Sequence, residues 1–241
     1  MEIMDVDKEI IYYTDNRIGK PILPLVQKYL LEVGLPIVSC SLKPIDFGKN
    51  IVLEGEVRSY PTMVRQIIMA LEASTAKYVF FCEHDVLYSK SHFDFTPPTD
   101  DIFYYNDHVW RWRLWDNFAV THERMLPLSS LCVNRELVLK HYKFREEKIK
   151  EFGWDKEKTR EPRWVRRMGY EPGTKKKKRG GLTDDDFDTW HSKDPNVDIR
   201  HKWTFSSPKV TLDSFKHKPK NWQEIPVEEV PHWDLKKLII F

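Results

Sequence analysis

The chain has 241 residues, 41% of them hydrophobic and 32% charged, an ordinary composition for a globular protein that buries a substantial core. Its 39 Lys and Arg against 37 Asp and Glu leave a formal net charge of +2, which excludes a uniform polycation of the histone kind. No segment approaches the ~20 apolar residues that span a bilayer, and the acidic opening MEIMDVDKEIIYYTD lacks the basic and long apolar regions of a signal peptide.

The expected location is therefore cytoplasmic. Cys40, Cys82 and Cys132 have no CxxC spacing and are expected as buried free thiols.

Residues 9–13 (EIIYY) read as a first strand, closed by the polar cluster Thr14-Asp15-Asn16-Arg17. Pro21 opens a helical stretch with Leu25, Tyr29 and Leu30 near helical spacing and Gly34 as its C-terminal cap. Residues 36–41 (PIVSCS) form a second strand, and 51–53 a short third. In SYPTMVRQIIMALEASTA, Thr62 is the expected cap, with Met63, Ile67, Ala70 and Leu71 recurring at helical intervals. KYVFFC, residues 77–82, is an unbroken apolar run that suits a strand buried on both faces. The alternation predicts an α/β fold with a mostly parallel central sheet, helices on both faces and ligands beyond the carboxyl ends of its strands.

After residue 88 the character changes. DIFYYN (101–106) and VWRWRLW (109–115) read as strands, and a helix starts within SSLCVNRELVLKHYKFREEKIKEF (129–152). Residues 153–181 are polar and basic, ending in a loop near 173–181 that is expected to be exposed and flexible. Residues 1–150 are read as the ligand-binding core. Residues 151–241 are read as a smaller mixed part packed on the same domain.

The chemistry is expected at Glu83-His84-Asp85, directly after the KYVFFC strand. Glu83 and Asp85 stand two apart, so on a regular strand they share a face. Two such carboxylates repel unless a proton or a cation lies between them. A hard divalent cation, Mn²⁺ or Mg²⁺, suits the site, especially where phosphate completes its shell. Solvated turn carboxylates are the plain alternative.

EHDVLY after this strand, with the helix RSYPTMVRQIIMALEASTA before it, resembles the DxD region of GT-A-fold, nucleotide-sugar-dependent glycosyltransferases of a family 2-like kind. IIYYTDNR resembles their first strand and base-contacting loop, LSSLCVNRELVLKHY the segment after the catalytic sheet, and PNVDIRH their late histidine segment. The resemblance implies a hexosyltransferase-like enzyme with a GT-A-like fold, a UDP-sugar as favoured donor and inversion at the transferred sugar. It makes Asp85 the direct metal ligand, with His201 as a further one. Glu83 departs from the usual Asp. Thr14, Asp15 and the neighbouring Arg17 are implied at the nucleoside, and Arg58 or Arg65, preferably Arg65, at the diphosphate or base. An acidic residue late in the chain is implied as general base. Among Asp184, Asp185, Asp186 and Asp188 the choice falls on Asp185 or Asp186.

On the acceptor side, Trp110 and Trp112 alternate with Arg111 and Arg113. They form either a core row backed by an exposed basic row, or an acceptor platform. Lys175 to Arg179, with Arg160, Arg163, Arg166 and Arg167, point to an anionic acceptor: a hydroxymethylated base in DNA, or a membrane-associated glycan.

Two other enzyme classes fit less well. A nucleotidyltransferase needs a glycine-rich loop where TDNRIGKP has one glycine, and a phosphoesterase needs His/Asp patterns that are missing. The alternative outside enzymes is a nucleic-acid-binding module with a degenerate GT-A site.

Overall fold

The computed structural model describes residues 7–154, 163–169, 171–174, 186–204 and 209–238. The first half alternates as expected: β1 (Lys8–Thr14), α1 (Ile22–Val33), β2 (Ile37–Ser41), β3 (Lys49–Val52), α2 (Tyr60–Ala73) and β4 (Tyr78–Glu83). Then come β5 (Val86–Leu87), β6 (Ile102–Asn106), β7 (Val109–Arg113), β8 (Phe118–Thr121), β9 (Leu131–Asn134) and α3 (Arg135–Phe152). The remainder supplies β10 (Asp186–Trp190), β11 (Asn196–Arg200), β12 (Gln223–Pro226) and the short α4 (Leu235–Leu238).

Seven strands form the central sheet in the order β10-β6-β9-β4-β1-β2-β3. Every neighbouring pair is parallel except the two that involve β9, which runs against both β4 and β6. A second sheet has the order β12-β8-β7-β11-β5, with β7 and β11 parallel and the other pairs antiparallel. The α/β class and mostly parallel sheet hold, and residues after 151 add strands to both sheets.

Strand alternation divides the core in two. Ile10, Tyr12, Phe80 and Cys82 face α1 and the second sheet, where Val26, Leu30, Trp112 and Ile199 cover them. Ile11, Tyr13, Val79 and Phe81 face α2 and α3, under Val64, Ile67, Val138 and Tyr142. Helices thus cover both faces. All three cysteines are buried free thiols, and Cys82 and Cys132 stand on the adjacent strands β4 and β9.

Local chemistry explains the boundaries and two departures from the sequence reading. Gly34 caps α1 as expected, at φ 80° with its N–H on the Leu31 carbonyl. The cap of α2 is Ser59, not Thr62. Ser59 is extended and its Oγ accepts the Thr62 N–H at 3.1 Å, while the Thr62 hydroxyl turns back to the Val57 carbonyl at 2.6 Å. The stretch 129–152 is not one helix. Leu131–Asn134 fill the gap between β4 and β6 as β9, and α3 starts at Arg135, where the Asn134 side chain accepts the Glu136 and Leu137 N–H groups. The apolar run Leu131-Cys132-Val133 pairs with both strands before the helix begins. In β7 both tryptophans turn into the core, but Arg113 is not in an exposed row: it is buried between Asp116 and Glu224.

One buried group gives the fold a pH signature. His92 is fully buried among Phe80, Phe93 and Trp190. The Asn106 carbonyl accepts the His108 and Ser192 N–H groups, so the Asn106 amide donates to His92 Nδ1 at 3.1 Å and the ring is neutral. Burial lowers its pKa from 6.5 to about 3. Between these values the unfolded chain takes up a proton that the folded chain refuses. Stability is therefore full above pH 6.5 and falls as pH drops toward 3, by on the order of 4 kcal/mol. Urea titrations of the wild type and His92→Phe across pH 3–7 should diverge in this way, the variant having the flatter profile. Parallel profiles would refute the assignment.

Candidate functional site

β1, β4, β6 and β10 run in the same direction, so their carboxyl ends share one edge of the central sheet. That edge opens into a cavity of about 1740 Å³. Thr14 and Asp15 enter from β1, Glu83 to Asp85 from β4, Asp107 and His108 from β6, and Asp188 to His191 from β10. The second sheet adds Trp110 and Arg111 from β7 and Asp198 and Arg200 from β11.

The β1 end is pinned from two sides. Asn16, at φ 59°, uses its side-chain carbonyl to accept the Leu42 and Lys43 N–H groups after β2. Buried Gln66 of α2 donates to the Thr14 and Cys40 carbonyls at 2.8 and 3.2 Å. Beyond β4 the chain turns through His84 and Asp85 into β5, which pairs antiparallel with β11. The Ile199 N–H also bonds the Asp85 carbonyl at 2.8 Å. This register carries His201 back to the end of β4, where its Nε2 lies 3.1 Å from Asp85 Oδ2.

Each carboxylate at this edge has its charge answered. Asp85 is 5% exposed; burial raises its pKa, but His84, the His201 bond and Arg200 outweigh that and hold it below the usual carboxylate value. Asp198 forms ion pairs with Arg200 at 2.9 Å and with Arg111 at 3.3 Å, all three largely buried. Asp15 pairs with Arg58 at 2.6 Å. Among the described residues no cation contacts Glu83. The Tyr13 hydroxyl donates to it at 2.6 Å, while burial and the Asp85 charge push its pKa well above the usual carboxylate value, which favours its neutral form and eases the repulsion between the pair.

The residues present fit a divalent cation held jointly with a substrate. Adjacent ligands of an octahedral ion with bonds of about 2.1 Å stand about 3 Å apart, close to the Asp85–His201 separation. Among the described residues, no group of three or more His, Cys, Asp or Glu is placed to hold a metal. A two-residue foothold completed by phosphate oxygens and water is how Mg²⁺ is commonly bound at phosphate-bearing sites. The Trp203 N–H points at His201 Nδ1, so the Nε2 proton lies toward Asp85, and a cation there would take that proton's place.

Thr14, Asp15, Arg58, Glu83, Asp85, Trp110 and Arg111 all border the cavity, whereas His201, bonded to Asp85, lines a neighbouring groove. Other expected residues lie elsewhere. Arg65 is on the outer face of α2, paired with Glu56 at 2.8 Å. Arg17 lines a neighbouring groove, Trp112 is core, and Arg113 is tied to Asp116 and Glu224. Asp186 is exposed at the start of β10, its carboxylate bonded to the Phe187 N–H, whereas Asp188 reaches the cavity. Asp185 and the run Lys175 to Arg179 fall outside the described residues, as do Arg160 and the side chains of Arg163 and Arg166.

The sequence reading passed over Tyr13, Gln66, Asp198, Arg200, Asp107 and His191. For two of them a signal existed: Asp198 and Arg200 alternate within the strand NVDIR and so share a face. Tyr13 and Gln66 look like ordinary core and helix residues until the sheet brings them to the site.

The chain matches no protein-family model and no curated protein. Among solved structures it is similar to the bifunctional IspDF of Campylobacter jejuni, at 16% identity and a TM-score of 0.37, over 56% of this chain and 43% of that one. It thus spans under half the length of that protein. It is also similar to a glycosyltransferase involved in the glycosylation of the major capsid of PBCV-1, at 8% identity and a TM-score of 0.43, over 76% of this chain and 81% of that one.

The buried Asp198 answers two arginines, and its loss should be felt in stability. Asp198→Ala leaves Arg111 and Arg200 without it and should cost about 3–5 kcal/mol. A urea midpoint measured against the wild type reads this directly. A loss under about 1 kcal/mol would mean that solvent or other groups already compensate both guanidinium groups.

Proposed function

We propose that the chain is a metal-dependent glycosyltransferase that moves a sugar, with inversion, from a nucleotide-sugar donor to an acceptor hydroxyl, a UDP-sugar being the favoured donor. The observation that carries the reading is the Asp85–His201 pair at 3.1 Å, at the strand ends of a large cavity bordered by Arg58, Arg111 and Arg200. Asp85 and His201 are the residues that would hold Mn²⁺ or Mg²⁺. Bound there, the cation would neutralise charge that develops on a departing nucleoside diphosphate.

The chain's own groups do the rest. Arg111 and Arg200, both ion-paired with Asp198, border the cavity, and their guanidinium groups suit the diphosphate. Thr14 and Asp15, fixed by Gln66 and Asn16, suit the nucleoside, with Arg58 between Asp15 and the Trp203 carbonyl. Glu83, its neutral form favoured and its carboxyl bonded to Tyr13, suits a hydrogen-bonding role better than a second metal bond.

An anionic acceptor, DNA or a membrane-associated glycan, is supported by a groove of about 550 Å³ beside the cavity. Arg17, Lys20 and Lys202 line it with the exposed Trp115 and Trp203, and among the described residues no acidic side chain does. No helix of the described residues is long and apolar enough to cross a membrane.

Thermal unfolding with UDP and Mn²⁺ tests the donor site. At a hundredfold excess over its dissociation constant a ligand of the folded state adds about 2.7 kcal/mol, roughly 5–10 °C for a chain of this size. The shift should need both ligands, vanish with EDTA and be absent from Asp85→Ala and His201→Ala. A shift by UDP that ignores the metal and both substitutions would refute the metal assignment. No shift with any nucleotide would refute the donor reading.

A further inference from the structure

We propose that the general base of this site is His191, oriented by Asp107, rather than Asp186 or Asp188. The inference rests on the glycosyl-transfer reading above. Asp107 follows β6 and His191 follows β10, and both border the cavity on the sheet edge that carries Asp85. His191 Nδ1 lies 2.8 Å from Asp107 Oδ1. The carboxylate accepts a hydrogen bond from Nδ1–H, which leaves Nε2 as the basic nitrogen. The His191 ring stacks on His108 at 4.1 Å and 16°, so its plane as well as its tautomer is set. Its side chain is nonetheless 66% exposed, as a group that must meet a substrate has to be.

The two strand ends are braced against each other beneath the pair. The Asp107 N–H bonds the Trp190 carbonyl at 2.9 Å. Asn106 accepts the Ser192 N–H at 3.2 Å and donates to Ser192 Oγ at 2.8 Å, and His108 Nδ1 donates to the Ser192 carbonyl at 2.8 Å. Both residues that flank the peptide of His191 are therefore held, a rigid support of the kind a catalytic side chain needs. Asp188, the β10 carboxylate at the cavity, instead accepts the N–H of its own neighbour Thr189, and among the described residues no other hydrogen bond orients it.

The spacing suits transfer. β9 and β6 separate β4 from β10, so the ends of β4 and β10 stand about 14 Å apart across the sheet, room for a sugar ring between a diphosphate at Asp85 and a base at His191. In the step, His191 Nε2 accepts the proton of the acceptor hydroxyl while that oxygen bonds the anomeric carbon. The bond from the anomeric carbon to the diphosphate oxygen breaks, and its electron pair leaves with the nucleoside diphosphate. Asp107 stabilises the imidazolium that results.

The test uses UDP-glucose, UDP-galactose and UDP-N-acetylglucosamine with Mn²⁺, water as the acceptor, and UDP release as the readout. His191→Ala should lower release about 10²-fold or more while the thermal shift by UDP and Mn²⁺ stays as in the wild type. Added imidazole should restore part of the rate to His191→Ala and none to Asp85→Ala. Asp107→Asn should lower release with binding intact, and Asp188→Asn should leave it near wild type. Wild-type release from His191→Ala, or a loss that imidazole does not rescue, overturns the assignment, as does loss in Asp188→Asn with His191→Ala active. A wild-type protein that neither binds UDP nor releases it removes the donor reading and this assignment with it.

Discussion

A carboxylate almost wholly removed from water stays ionised only beside positive charge or hydrogen-bond donors. Asp85 meets that condition through a partner 116 residues away, and the partner arrives because β5 pairs antiparallel with β11. That two-strand contact sets His201 against Asp85 and brings Arg200 toward the end of β4, while the β11–β7 pairing aligns Asp198 with Arg111. The second sheet thus supplies the cations that answer Asp85, an acid presented by the first.

The site is a charge arrangement in which the protein has neutralised most of its own acids. Asp15 has Arg58, Asp85 has His201, and Asp198 has two arginines. Glu83 takes the other route: Tyr13 offers it a hydrogen bond but no charge, and burial beside Asp85 pushes its pKa up. Arg58, Arg111 and Arg200 line the cavity beside these acids, and guanidinium groups suit phosphate better than bare carboxylates do. The buried ion pairs add specificity of position and not necessarily net stability, because desolvation offsets much of their attraction.

The reversal of β9 organises the other half of the cavity. By running antiparallel between β4 and β6, it keeps β4, β6 and β10 in one direction while α3 returns along the opposite face. Three strand ends then share an edge, and Asp107, His108 and His191 meet there although 83 residues separate the nearest pair across β6 and β10. The Asn106 bracing beneath them is the same network that keeps His92 neutral, so one buried amide serves both the core and the wall of the cavity.

What the sequence by itself determined is what period and local chemistry encode. The buried run KYVFFC, the helix and strand alternation before it and the Gly34 cap were legible because each depends on residues within one or two turns. So was the EHD turn, since a break in a hydrophobic run needs no distant partner to be noticed. Tertiary structure decided which charges meet. Arg65 and Arg58 read alike in sequence, yet one faces solvent and the other Asp15, because the start of α2 points at the strand ends and its middle does not. Arg111 and Arg113 differ in the same way, through partners on β11 and β12. Asp107 and His191 carry no local signal at all. Their pairing comes from strand order, a long-range property that no short stretch of sequence contains.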